Sequence, residues 1–265
     1  MAPAILASFL AQLEQKPEFK IIHTLLLDPD ADPSAVAEKI VELTIPYFSR
    51  PNSASMWEDD EPHLFHTACS VIEVAQRTPP ERQDKLCDFV MALKQHSLND
   101  TKTGKPLMDG GAKVWTDLPA FGYTFADCTQ FMSGYDKKTS EEAQQDENLE
   151  AFLAKLTGDP RDRTVDLSDR GQLAMSRAFY LETAQIPPGR AVHTIRLGCW
   201  WFIRAAAALW ANVQDPKNDN WSLELWNFYK EGLLTRKAEI RNHEVRKMIE
   251  QAIEEMEKAE RGNSQ

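Results

Sequence analysis

Apolar residues recur along most of this chain at the three-and-four spacing of helices that bury one face. Ile5, Leu6, Phe9, Leu10 and Leu13 form one such face, with Ser8 and Gln12 opposite. Phe19 to Leu27 is a second apolar segment, stopped by Asp28-Pro29. Pro33-Ser34 opens a helix through Val36, Ile40 and Leu43 that ends near Pro46. After a polar loop, Pro62 begins a helix in which Leu64, Ala68, Val71 and Ala75 share a face. Pro79-Pro80 breaks it and starts another, with Leu86, Phe89, Val90 and Leu93 inward.

The second half continues in the same period. A Gly-rich connection at 99–113 and an aromatic stretch, Val114 to Phe131, lead into a polar segment at 133–146, expected as a mobile loop. Asn148 to Leu156 predicts a short helix, ended by Gly158-Asp159-Pro160. Ser168 is expected to cap a helix reaching Ala184. Arg190 to Val213 is the most apolar helix and is expected at the centre. Ser222 suits the cap of a helix from Leu223 to Leu234. A last helix, Arg236 to Glu260, would bury Ile240, Val245, Ile249, Ile253 and Met256. No run alternates as a strand does. The expectation is a single all-α domain over 1–265, an irregular bundle of about nine helices without a sheet.

Charge narrows the partners. The 265 residues carry 30 Lys and Arg against 41 Asp and Glu, a net −11. The one dense charge run, Glu58-Asp59-Asp60-Glu61, is acidic, which argues against nucleic acid and anionic membranes. The longest charge-free apolar run, Leu197 to Ile203, is far short of the ~20 residues that span a bilayer. The N-terminal apolar segment lacks a basic leader, its first basic residue being Lys16, and reads as a mature amphipathic helix. Cys69, Cys87, Cys128 and Cys199 are widely spaced and predict buried free thiols in a cytoplasmic protein.

Catalytic and cofactor templates are absent. No GxSxG, GxGxxG or GxxxxGK[ST] occurs, and His243-Glu244-Val245-Arg246-Lys247 puts Lys247 where HExxH requires histidine. His63 and His66 lie beside the acidic run at a spacing that can hold a metal, but carboxylates at a helix N-terminus are more simply explained by its dipole. Neither metal nor cofactor is expected. Asp59-Asp60 and Asn218 with Ser222 invite comparison with the metal clamp of class I terpene cyclases. Trp226 stands where the clamp needs glutamate, and His63 where it needs a carboxylate.

The apolar helix carries the sharper signal. Measured from His193, Arg196, Trp200 and Arg204 fall at about −60°, −20° and +20° around it. Buried arginine needs carboxylates, water or an anionic ligand, so this basic stripe is a candidate pocket wall. His63, His66 and His193 are candidate acid–base groups. Arg177, Tyr180, Arg196, Trp200 and Arg204 are candidate substrate-binding residues, if the stripes of three helices converge.

One family resemblance is carried by Val114-Trp115-Thr116-Asp117-Leu118-Pro119, by Asn148 through Thr157 and by the alanine-rich helix Ala205 to Trp210. It continues in Leu225-Trp226-Asn227-Phe228-Tyr229-Lys230 and in the helix Ala252 to Met256. Over roughly 36–258 the chain resembles the fungal proteins grouped as domain of unknown function 3632. Glu150 stands where that family usually has a second asparagine. The resemblance implies a fungal, mostly intracellular, all-helical protein and supplies no activity and no catalytic residue. Together these features predict a small-molecule-binding helical protein. Its catalytic form would be a cofactor-independent isomerase or cyclase of specialised metabolism. The alternative is a non-catalytic interaction or structural protein that docks a partner through its C-terminal helix.

Overall fold

The computed structural model describes residues 3–48, 63–100, 103–122, 124–125, 139–179 and 188–262. Among them are ten α-helices and one small ladder, so the chain is all-α. It divides into two compact units, Met1–Lys137 and Lys138–Gln265.

The first unit contains α1 (Pro3–Leu13), α2 (Pro17–Leu27), α3 (Pro33–Phe48), α4 (His63–Arg77) and α5 (Asp84–Lys94). Asp32 caps α3 by accepting the Ser34 and Ala35 amides, and the helix runs two residues beyond Pro46. Pro80 opens only a 3-10 turn, Pro80–Arg82, and α5 starts after it. Ile22, Ala37, Ile40, Ala68, Val71, Phe89 and Leu93 are buried in the core. Among the described residues this unit also holds a small antiparallel ladder of β1 (Met108–Asp109) with β2 (Ala112–Lys113), where no sheet was expected. Gly110 (φ 56°) and Gly111 (φ 88°) form its turn, where two successive positive φ angles favour glycine. Trp115 (φ 64°) and Leu118 (φ 49°) take the same left-handed region, which costs a bulky side chain free energy.

The second unit contains α6 (Ser140–Thr157), α7 (Ser168–Phe179), α8 (Pro188–Gln214), α9 (Leu223–Glu239) and α10 (His243–Gly262). α8 is the most apolar helix of this unit, although not of the chain as expected, since α1, α2 and α3 are more apolar; it is central here and packs against the other four. Three boundaries differ from expectation. Residues 140–146 are the first turns of α6, not loop, because Thr139 and Glu142 form a reciprocal capping box; 133–138 lie outside the described residues. Ser168 is the first residue of α7, not its cap. Asp166 accepts its amide, and its hydroxyl accepts from Asn212 on α8. The last two helices break at Ile240–Asn242, where the Asn242 side chain accepts the Val245 amide and caps α10. Ser222 caps α9 as predicted.

Two glycines permit close approach within this unit. A Cβ on Gly158, just past α6, would meet the Arg204 carbonyl carbon at 2.9 Å and the Ala205 Cα at 3.0 Å. A Cβ on Gly171 of α7 would stand 2.7 Å from the Trp201 ring. Contacts also order the helices. Asp146, Glu147 and Glu150 meet His193, Arg196 and Trp201 in turn, so α6 and α8 run in the same direction. The pairings Ser168 with Asn212 and Ala178 with Gly198 make α7 antiparallel to α8.

Candidate functional site

The basic stripe of α8 meets carboxylates of α6. Glu147, itself buried, accepts Arg196 Nε at 2.7 Å and Nη2 at 2.6 Å, and the Trp200 indole N–H at 2.9 Å. The hydrogen bond to Glu147 raises the Arg196 guanidinium above its ordinary pKa, against the opposing effect of burial. His193 Nε2 lies 3.5 Å from Asp146 Oδ2. One turn on, Glu150 accepts Arg170 Nη2 at 2.6 Å and the Trp201 indole N–H at 2.8 Å. Arg196 and Trp200 therefore work inside the bundle, and their charge and N–H groups are spent on Glu147.

Arg204 is placed differently. Its guanidinium carbon stands 5.3 Å from the centroid of the Trp200 ring, within cation–π range. It also lines a half-open groove of about 320 Å³ between α8 and α10. Ala207 and Ala259 lie in that groove with Trp210, while Glu255 and Lys258 bring charge from α10. Lys258 is exposed and paired with Glu254 and Glu255 at 3.0 and 2.8 Å.

In the first unit His63 does not share an outward face with His66. It is 3% exposed, enclosed by α2, α3 and the loop of Trp115. Its Nδ1 is 2.6 Å from Glu18 Oε1, and its Nε2 is 3.1 Å from Thr44 Oγ1. Thr44 gives its hydroxyl proton to Ile40 and accepts the Trp115 indole N–H, so Nε2 must donate to it. Burial acts to raise the Glu18 carboxyl. The hydrogen bond and charge of His63, aided by a backbone bond and the His66 charge, outweigh burial and hold it below its ordinary pKa. Glu18 is then the acceptor side of a buried carboxylate–imidazole contact that holds the His63 ring in the core. Carboxylate, imidazole and hydroxyl stand in the order of a nucleophilic triad, but the Thr44 hydroxyl is fully buried and already donating.

His66 is half-buried on α4 and Arg177 half-buried on α7. Tyr180, Cys128 and the acidic run at 58–61 lie outside the described residues. Among the described residues no group of His, Cys, Asp and Glu could hold a metal ion, and no helix is long and apolar enough to cross a membrane. The positions unforeseen in sequence are the acceptors, Glu18, Glu147 and Glu150. For the latter two a signal existed: carboxylates three apart, directly before the apolar run Ala151 to Ala154.

Residues 69–251 match the family model described as Protein of unknown function (DUF3632). No curated protein and no solved structure matches the chain.

Proposed function

Because the chain belongs to the family of proteins of unknown function DUF3632, whose description assigns no activity, we propose a function from its own geometry: it is a small-molecule-binding helical protein, with the α8–α10 groove as its site. The observation that carries this reading is the groove of about 320 Å³, which falls at the small end of ligand-site volumes and joins an apolar floor to a few charged groups. Binding is favoured over catalysis because His63 is closed into a core contact with Glu18 and Arg196 is committed to Glu147. Docking of a partner on the last helix is disfavoured, since its apolar face, Val245, Ile249, Ala252 and Met256, is already buried. Buried free thiols at Cys69, Cys87 and Cys199 suit a reducing cytoplasm.

The test is a ligand-observed NMR screen of a fragment panel against the full chain and against Ala207→Phe, which fills the groove. Fragments that bind the wild type and not the variant support the site. A screen whose hits all bind the filled variant equally would sink it.

A further inference from the structure

This inference rests on the binding reading above and names the ligand class of the same groove. We infer that the groove takes small, uncharged carbonyl compounds, with the Trp210 indole N–H donating to the carbonyl oxygen. The other indoles beside it are satisfied by the protein. Trp200 donates to Glu147, Trp201 to Glu150 and Trp226 to Glu260, at 2.9, 2.8 and 2.8 Å. A buried Trp N–H ordinarily finds such an acceptor, because an unpaired donor loses the hydrogen bond it had with water. Trp210 is only 9% exposed, and its N–H has no acceptor among the described residues. Nor is that N–H sealed in the core, as the Trp221 N–H is. Trp210 lines the α8–α10 groove, so an acceptor that enters the groove can make the hydrogen bond the protein leaves unmade.

The charges of the groove favour a neutral ligand. Lys258 is paired with Glu254 and Glu255 at 3.0 and 2.8 Å, and the Arg204 guanidinium lies against the Trp200 ring. An anion would have to draw these cations from partners already in place. Glu255 also lines the groove, and α10 ends there at Gly262, where the last carbonyls of the helix carry partial negative charge. A carbonyl oxygen needs no counter-charge and accepts from an indole directly. The rest of the ligand is set by the lining. Ile203, Ala206, Ala207 and Ala259 offer apolar surface, and about 320 Å³ is the small end of ligand-site volumes, so the carbonyl is carried on a small apolar body.

The experiment follows the assigned Trp210 indole signal in proton–nitrogen correlation spectra of the full chain as acetophenone, ethylbenzene or benzoate is added. Acetophenone is expected to move the indole proton downfield to saturation. Ethylbenzene, which has the ring without the acceptor, should not. Benzoate should bind more weakly than acetophenone. In Trp210→Phe, which keeps a ring in place, the affinity for acetophenone relative to ethylbenzene should fall about threefold to tenfold. A ratio unchanged by that variant, or a wild-type indole proton that acetophenone does not move downfield, would overturn the carbonyl assignment while the groove stays a binding site. Tighter binding of benzoate than of acetophenone would overturn the uncharged class. Failure of all three probes would overturn the assignment as well, and the fragment screen against Ala207→Phe then decides the binding reading separately.

Discussion

Glu147 grips Arg196 along one edge of the guanidinium, with both carboxylate oxygens engaged at 2.7 and 2.6 Å. The pair joins α6 to the central helix, and the Trp200 N–H completes it. Replacing Glu147 by leucine leaves Arg196 and the indole without their acceptor. The expected loss is about 2–3 kcal/mol in urea unfolding, less than for a fully buried pair because Arg196 keeps some contact with water. Glu147→Gln should cost less, since its amide oxygen still accepts. Equal stability of Glu147→Leu and wild type would show the pair to be idle.

Acid should act on the first unit through Glu18. Its carboxyl is held below the ordinary value of 4.5, so the folded state binds that proton less readily than the unfolded chain. The contribution to stability is therefore complete above the unfolded value and disappears as pH falls through the folded one. Glu18→Leu should destabilise by about 1–3 kcal/mol near neutral pH, because it leaves the buried Nδ1 of His63 without its partner. It should also flatten the acid limb of the stability profile. In a double-mutant cycle, His63→Leu added to Glu18→Leu should cost much less than the sum; additive losses would dissolve the pair.

Gly158→Ala tests the closest helix contact. The new methyl group would enter the space of the Arg204 carbonyl, so backbone must shift. A loss of about 1–3 kcal/mol is expected, although alanine is ordinarily the better helix former. A thermal melt in which the variant matches or exceeds the wild type would refute the contact.

Thiol reactivity follows burial. Cys69, Cys87 and Cys199 are free and buried, and burial pushes the Cys199 thiol well above its ordinary pKa. Iodoacetamide should leave these three unmodified in the native protein and label them in denaturant. Peptide mass spectrometry reads each site separately, and rapid native labelling of Cys199 would contradict its placement.

Helix period alone located most elements, because each helix buries one face and proline or a capping side chain marks its start. Boundaries slipped where the capping residue was polar and unremarked, as with Thr139 and Asn242. The basic stripe on α8 was visible for a simple reason: charge on an otherwise apolar helix stands out. Its partners were not, since Glu147 and Glu150 look like any acids in an acidic protein, and only tertiary packing selects them. His63 shows the opposite failure. Next to acidic residues it resembled a ligand, yet its partners came from positions 18 and 44, which sequence spacing does not connect.

The two acids of α6 have a mechanical consequence. Glu147 and Glu150 seize the consecutive indoles Trp200 and Trp201, so the central helix can neither turn about its axis nor slide without breaking both grips. They act like two teeth in a rack. Conservative exchanges around them leave the alignment intact, whereas a single-residue deletion between Glu147 and Glu150 would rotate one acid by about 100° relative to the other. Arg204, one turn further along α8 than Trp200, inherits its position from that alignment.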